Sequence, residues 1–366
     1  MKKFKLLGLL GVPVLCAFML TSCGSQQKEL VYTDETGTEH KVVAKKTDNP
    51  EEVVDIINAI NSIEAKKVPD YKVFTVAVKN ESTLIGVDKT TNKKVTDKKF
   101  MSNETVYSYK NSGTATGLGA IEYYSKSTLS MSIPNEEEDG KVRQFNINLA
   151  AELFYSNYVE YMHFIKADLP YDTIPLPADS KTKLKEAVKK DILNKYVYVD
   201  INTLMSLVGD SISSSVNSYY DIDTQFDMLN MYSSSFGFGD DISLDYIKFL
   251  VKANNIAVVD VSDSTVTFKT KHEDSSDYSL IAFDINTKNV VKYEMDLSQT
   301  IKENSENYDN MEVSKCVSKY SISIKKGGTL KTITENDKES AKDLMEVIPS
   351  EIIDYIKNMR DDDYLK

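Results

Sequence analysis

Few residues of this 366-residue chain have the types and the spacing that catalysis requires. The three histidines, His40, His163 and His272, lie far apart, and none stands in an H-E-x-x-H or H-x-H arrangement. We expect His163 to be a hydrogen-bonded core residue of an apolar helix, and His272 to lie in a turn. The sequence contains no G-x-S-x-G nucleophile elbow and no Walker-type phosphate loop. We therefore predict that the protein is not an enzyme and carries no cofactor.

Two acidic segments could in principle bind a metal ion. Segment 221–232 begins like a calcium-binding loop, but Phe226 stands where such a loop needs glycine and Tyr232 where it needs a bidentate acid. The run of four acidic residues at 136–139 is more typical of a solvated hairpin tip than of a cation site. The sequence therefore predicts no metal site.

Only one of the three cysteines is a candidate for covalent chemistry. Cys16 lies in an apolar leader, and Cys316 alternates in phase with Tyr320 and Ile322, which predicts a buried and unreactive thiol. Once the leader is removed, no internal disulfide is expected. The remaining cysteine, Cys23, directly follows the leader.

The leader combines a cationic start with an apolar run. Lys2, Lys3 and Lys5 precede residues 6–20, a run of about fifteen mostly apolar residues that is shorter than the ~20 a membrane-spanning helix needs. The sequence Leu20-Thr21-Ser22-Cys23 follows. It resembles the lipobox of bacterial lipoprotein signal peptides.

This resemblance implies a location and a modification. In that family the cysteine thiol receives diacylglycerol and the leader is cut just before it, here between Ser22 and Cys23. Two or three acyl chains hold a protein stably on a bilayer. The resemblance thus implies an extracytoplasmic protein, anchored to the bacterial cell membrane by lipid on Cys23. An ordinary secretory signal and an uncleaved N-terminal anchor are the alternatives.

The charge of the chain argues against nucleic acid as a partner. The net charge is −12, and residues 1–22 carry three lysines and no acidic residue, so the remainder is more acidic still. Such a body is repelled by phosphate backbones and by anionic lipid head groups. Membrane attachment is therefore expected to depend on the acyl anchor.

The spacing of apolar and turn residues divides the chain into three parts. We predict a signal peptide over 1–22, a flexible tether over 23–48 and a single domain over 49–366. Asn49 and Pro50 predict the start of a helix, with Glu52 reaching back as in a capping box.

Within the domain, β-rich blocks at 71–148 and 256–326 flank a helical middle that begins with a helix over 149–166. The second block has the strictest period-two alternation, as in Val266, Phe268 and Thr270. A final helix is expected to be capped by Asp337.

These elements predict an α+β fold, in which antiparallel strands form one curved, half-barrel-like sheet with helices packed on one face. The order of elements resembles the half-barrel lipoproteins of the Lol type and the mycobacterial lipoproteins that hold acyl chains. The resemblance implies a non-enzymatic protein that binds an apolar or amphipathic ligand between sheet and helices. The alternative is a protein-interaction or adhesion module that uses the Ser- and Tyr-rich segment 217–241 as its contact.

Overall fold

Long antiparallel strands make up most of the part of the chain that the structure, a computed structural model, describes. The described residues are 27–33, 36–66, 73–109, 121–136, 142–173, 177–203, 243–251, 256–262, 264–271, 275–307 and 309–354. Of the residues singled out above, the leader including Ser22, Cys23, residues 137–139, His272 and segment 217–241 lie outside these ranges.

The strands and helices are numbered in chain order. The strands are β1 (Lys28–Thr33), β2 (Glu39–Ala44), β3 (Val73–Asp88), β4 (Lys93–Tyr109), β5 (Ile121–Glu136), β6 (Val142–Ser156), β7 (Val159–Asp168), β8 (Tyr196–Asp200), β9 (Ile256–Val261), β10 (Thr265–Lys271), β11 (Tyr278–Asp284), β12 (Val290–Asp296), β13 (Met311–Lys326) and β14 (Lys342–Asp343). The helices are α1 (Pro50–Ser62), α2 (Ala178–Ala187), α3 (Leu244–Val251), α4 (Ser298–Asn307), α5 (Glu335–Ser340) and α6 (Leu344–Val347). A 3₁₀ turn (Tyr171–Thr173) precedes α2, and a π-helical turn (Val188–Ile192) continues it.

Twelve of the described strands form one sheet, in the order β14-β8-β7-β6-β5-β4-β3-β13-β12-β11-β10-β9. Neighbouring strands run antiparallel except for β14 and β8. The two predicted β blocks join where β3 pairs with β13, in a register that aligns Val76 with Ile324. The predicted α+β class with a large antiparallel sheet is therefore confirmed.

One face of this sheet, called here the covered face, carries the main hydrophobic core. Successive side chains of a strand point to opposite faces, so residues paired across neighbouring strands share a face. Phe74, Tyr107, Tyr123 and Tyr155 form one such row across β3 to β6, and all four are buried. Helix residues in the same core are Val53, Ile56, Ile57, Ala59 and Ile60 of α1, Leu184 of α2, and Leu244, Ile247 and Val251 of α3.

Helix α1 begins where the sequence predicts. The Asn49 side chain accepts a hydrogen bond of 2.9 Å from the Glu51 amide, and Pro50 occupies the first helical position. Glu52 is not part of a capping box. Its carboxylate accepts instead from Thr47 Oγ1 at 2.6 Å and from Lys45 Nζ at 2.9 Å, and these bonds lower the pKa of Glu52.

Residues 28–44 of the predicted tether over 23–48 form a hairpin instead of a flexible segment. β1 and β2 pair in register from Lys28 with Ala44 to Thr33 with Glu39. Leu30 and Ala44 of this hairpin are buried in the core beside α1. Successive side chains of the hairpin alternate between two sides, so Leu30 and Ala44 face α1, while Val31 and Val43 are exposed beside the pair of Lys41 and Glu29 at 3.0 Å.

The predicted helix over 149–166 is also wrong, because this segment forms the end of β6 and most of β7. Leu153, Tyr155 and Met162 are buried on the covered face, whereas Phe154 is buried on the opposite, outer face. Both faces of these strands are therefore apolar, which removes the alternation that identifies a strand.

A C-terminal segment, residues 327–343, crosses the outer face of the sheet and is called here the strap. It leaves β13 at Gly327, whose carbonyl accepts from Thr75 Oγ1 at 2.7 Å, and ends where β14 pairs with β8. The predicted cap at Asp337 is wrong. Thr334 caps α5 by accepting from the Asp337 amide at 3.1 Å, and Asp343 caps α6.

Candidate functional site

The row of aromatic residues on the covered face ends at a carboxyl group. Phe74 and Tyr107 stack with ring centroids 5.0 Å apart, and Tyr123 and Tyr155 stack at 5.1 Å. Tyr123 Oη donates a 2.6 Å hydrogen bond to Glu160 Oε1. Burial raises the pKa of Glu160, and the hydrogen bond from Tyr123 opposes this only in part. The environment of Glu160 therefore favours an uncharged group.

Glu160→Gln is expected to stabilise the protein at pH 7 by about 1 kcal/mol, because glutamine keeps the acceptor for Tyr123 without a poorly hydrated charge. The pKa of Glu160 is higher in the folded chain than the ordinary 4.5, so wild-type stability falls as pH rises through that raised value. The gain in melting temperature, roughly 2–4 °C, should therefore disappear near pH 4.

Thermal unfolding at the two pH values measures this effect. Glu104→Gln is the matched control, because Glu104 is exposed on the outer face of β4. A gain of equal size at pH 4 and pH 7 would contradict the assignment of the effect to the charge of Glu160.

Next to the aromatic row lies a small group of buried polar side chains, called here the polar band: Asn103, Thr105 and Ser125. All three face the core side of β4 and β5. Ser125 Oγ donates to Asn103 Oδ1 at 2.6 Å, and Thr105 Oγ1 lies 3.0 Å from Asn103 Oδ1 and 2.9 Å from Ser125 Oγ. Asn103 Nδ2 is buried and lacks a hydrogen-bond partner within the described ranges. A buried donor without a partner is unusual, since native structures satisfy nearly all such groups.

Beyond the polar band, the covered face carries a group of apolar side chains beside polar ones, among them Lys99, which pairs with Met131. Leu129 pairs with Met101 on one side and with Leu149 on the other, and Met131 pairs with Ile147. We call this surface the distal patch; its residues are Leu84, Met101, Leu129, Met131, Ile147 and Leu149. Ile147 is buried and the other five are half-buried. None of the six belongs to the main core.

The outer face carries a different cluster, which fastens the strap. Lys331 Nζ lies 2.9 Å from each carboxylate oxygen of Glu152, and Tyr124 Oη donates to Glu152 Oε1 at 2.6 Å. The Lys331 ammonium also lies 5.4 Å from the ring centroid of Tyr124 and 5.5 Å from that of Phe154. Burial opposes ionisation of Glu152, but the bonds from Tyr124 and Lys331 outweigh it and lower the pKa of Glu152. This carboxylate is therefore a fixed anion that holds the strap.

The histidines predicted to be structural lie away from the covered face or outside the described ranges. His163 is on β7, not in a helix, and its ring stacks on Tyr196 with centroids 4.8 Å apart. Its Nδ1 atom is 3.8 Å from Glu152 Oε2 and has no hydrogen-bond partner in the described part of the chain. The ring is half-buried on the outer face, so the predicted position in the core of a helix is wrong. His40 stacks on Tyr32 in the hairpin at 4.9 Å.

Cys316 lies on the covered face of β13, opposite Leu84. Its thiol is half-buried rather than fully buried. Burial raises the pKa of Cys316, and the negative charges of Asp277 and Asp296 raise it further. A raised pKa leaves little thiolate at neutral pH, which makes this cysteine a poor nucleophile.

Two clefts of the described chain have mainly polar linings, which suit an apolar chain less well. One polar cleft of about 230 Å³ lies between α1, α3 and β12 and includes Asn61, Asp245 and Lys288. Another, of about 420 Å³, lies between α2 and the end of the described chain and includes Lys190 and Glu351. Among the described residues, no group of three or more His, Cys, Asp or Glu side chains is placed to hold a metal ion. The distal patch and the polar band together are therefore the best candidate site.

Comparison with known proteins adds no family to this description. No protein-family model matches the chain, and searches of curated proteins and of solved structures find no significant match. In the part of the chain that the structure covers, no helix is long and apolar enough to cross a membrane.

Proposed function

We propose that this chain is an extracytoplasmic bacterial lipoprotein, anchored through acylated Cys23, that binds an apolar or amphipathic ligand on the covered face of its sheet. The proposed role is binding without catalysis. The location rests on the lipobox-like sequence from Leu20 to Cys23. The binding role rests on the distal patch, an apolar surface that continues the covered face beyond the main core.

A curved, half-barrel-like sheet would suit this role. The described sheet has twelve strands and is open, with β14 and β9 at its opposite ends. Twisted open sheets rarely exceed about ten strands without curling. Curling toward the covered face would place the distal patch inside a trough, and ligand pockets are usually concave and mainly apolar.

The size and chemistry of the patch favour an alkyl chain over a polar ligand. Leucine, methionine and isoleucine side chains supply apolar contact area, and methionine adapts to irregular shapes. Burial of apolar surface contributes about 25 cal/mol per Å². A ligand chain lying along Leu129 and Met131 would gain this contribution by leaving water.

Leu129→Asp is expected to weaken ligand binding at least tenfold, because a carboxylate beside an apolar chain is poorly hydrated. Thr128→Asp is the matched control, since Thr128 is the neighbouring residue on the outer face of the same strand. Both variants are made in the polypeptide that starts at Gly24, which contains every described residue. Native mass spectrometry measures bound lipid, and thermal unfolding checks that both variants fold.

We expect the wild-type polypeptide to carry bound lipid when it is purified without detergent. Absence of co-purifying apolar molecules, together with failure to bind added acyl compounds, would contradict it. Equal loss of binding in Leu129→Asp and Thr128→Asp would place the ligand elsewhere.

A further inference from the structure

We propose that the Asn103 side-chain amide donates a hydrogen bond to an acceptor oxygen of the bound ligand. The ligand class that follows is a neutral amphiphile, in which an apolar chain ends at a carbonyl oxygen such as that of an ester or an amide. This inference rests on the proposed function and specifies the chemistry of the same site.

The two polar atoms of the Asn103 side chain differ in their hydrogen bonding. The residue is 1% exposed, so bulk water does not solvate it. Its oxygen already accepts from Ser125, whereas its nitrogen has no partner in the part of the chain that is described. An unsatisfied buried donor costs about 1–3 kcal/mol, which a bound acceptor would recover.

The nitrogen of the Asn103 amide, and not its oxygen, is the atom that lacks a hydrogen-bond partner among the described residues. Ser125 Oγ lies 2.6 Å from the amide atom that faces it. Thr105 Oγ1 lies 3.0 Å from the same atom, so two hydroxyl groups converge on it as on an acceptor. The amide oxygen therefore faces Ser125, and Nδ2 is directed away from it.

Asn103 also lies next to the distal patch on the covered face. Asn103 pairs with Ser127 of β5, and the next residues on the covered face of the two strands are Met101 and Leu129 of the distal patch. The amide thus lies where the polar band meets the apolar surface. A chain on the patch that ends at a carbonyl would bring its oxygen to this boundary.

The net charge of the chain favours a neutral ligand. The polar band contains no cationic side chain, and the Asn103 amide is neutral. Lys99 lies farther along the same face of β4, and its ammonium is paired with Asp97 at 3.1 Å. The chain as a whole carries a net charge of −12. A carboxylate or phosphate head would be repelled by this charge, whereas an ester or amide carbonyl accepts the hydrogen bond without it.

The test compares two probes of equal chain length, methyl dodecanoate and n-tetradecane, on the polypeptide that starts at Gly24. Wild type is expected to bind the ester about tenfold more tightly than the hydrocarbon, the ratio that corresponds to about 1.4 kcal/mol. Asn103→Leu is expected to reduce this ratio to near one while the affinity for the hydrocarbon stays within a few fold. Asn148→Leu is the matched control, since Asn148 is an asparagine on the outer face of β6, and it should keep the wild-type ratio.

The outcomes separate this inference from the proposed function. If wild type binds neither probe, the proposed function is wrong. If wild type binds both probes equally, the ligand-binding role stands and the hydrogen bond from Asn103 is refuted. This comparison needs no variant, so it remains decisive even if Asn103→Leu does not fold.

Discussion

Replacing Cys23 by alanine is expected to abolish incorporation of labelled palmitate into this protein. The sulfur of Cys23 is the atom to which the resemblance assigns the glyceride, and alanine has no group that could take its place. The lost acyl chains contribute about 0.8 kcal/mol of membrane affinity for each buried methylene. Labelling of cells followed by mass analysis of the N-terminus measures the effect directly.

The other two cysteines provide the controls for this experiment. Cys16→Ala alters the leader without removing the acceptor thiol, and Cys316→Ala alters a half-buried thiol of β13. Both variants should be labelled like wild type. A wild-type chain that stays unlabelled and retains Met1 would overturn the proposed location.

Gly328→Ala is expected to destabilise the protein by about 2–4 kcal/mol, for two reasons that add. Gly328 has φ +139°, a conformation that alanine rarely adopts. A Cβ atom at this position would also collide with Thr75 Oγ1 and lie 3.0 Å from Val106 Cγ1. Chemical denaturation measures the loss, and limited proteolysis shows whether the strap detaches first.

Gly327→Ala separates the two reasons. Gly327 has φ +84°, and a Cβ atom there would meet nothing within 4 Å. Only the backbone penalty applies, so the expected loss is about 1 kcal/mol. Equal losses at Gly327 and Gly328 would show that the strap does not press on β3 and β4 as described.

Strands with one dry and one wet face were the most predictable elements. Tyr293 and Met295 of β12 are buried and alternate with the partly exposed Lys292 and Glu294, and this pattern alone predicts the strand. The start of α1 was equally predictable because Asn49 and Pro50 are local signals. Both cases depend on residues that are close in sequence.

Prediction failed where tertiary contacts cover both faces of an element. Phe154 packs beside Tyr124 and beneath Lys331 of the strap, while Leu153 and Tyr155 face the core. Such a segment reads as one apolar run, which periodicity does not distinguish from a buried helix. The number of aromatic residues in it, which favours a strand, was the signal that could have corrected the prediction.

The candidate site was not predictable from the sequence, because the pairing of β4 and β5 creates it. Asn103 and Ser125 are 22 positions apart, and only the register of the two strands brings their side chains within 2.6 Å. An asparagine in a strand ordinarily indicates a turn or an edge. Burial of its amide becomes visible only when the sheet is assembled.

The short segment between Cys23 and the hairpin of β1 and β2 limits the distance between the domain and its proposed lipid anchor. The first described strand begins at Lys28, and a chain from Cys23 to Lys28 reaches about 17 Å at most. With Cys23 acylated as proposed, the domain stays at the bilayer surface, within a distance smaller than its own width. Exchange of an amphiphile would then occur with the leaflet that holds the anchor, and a more distant acceptor would have to approach the protein.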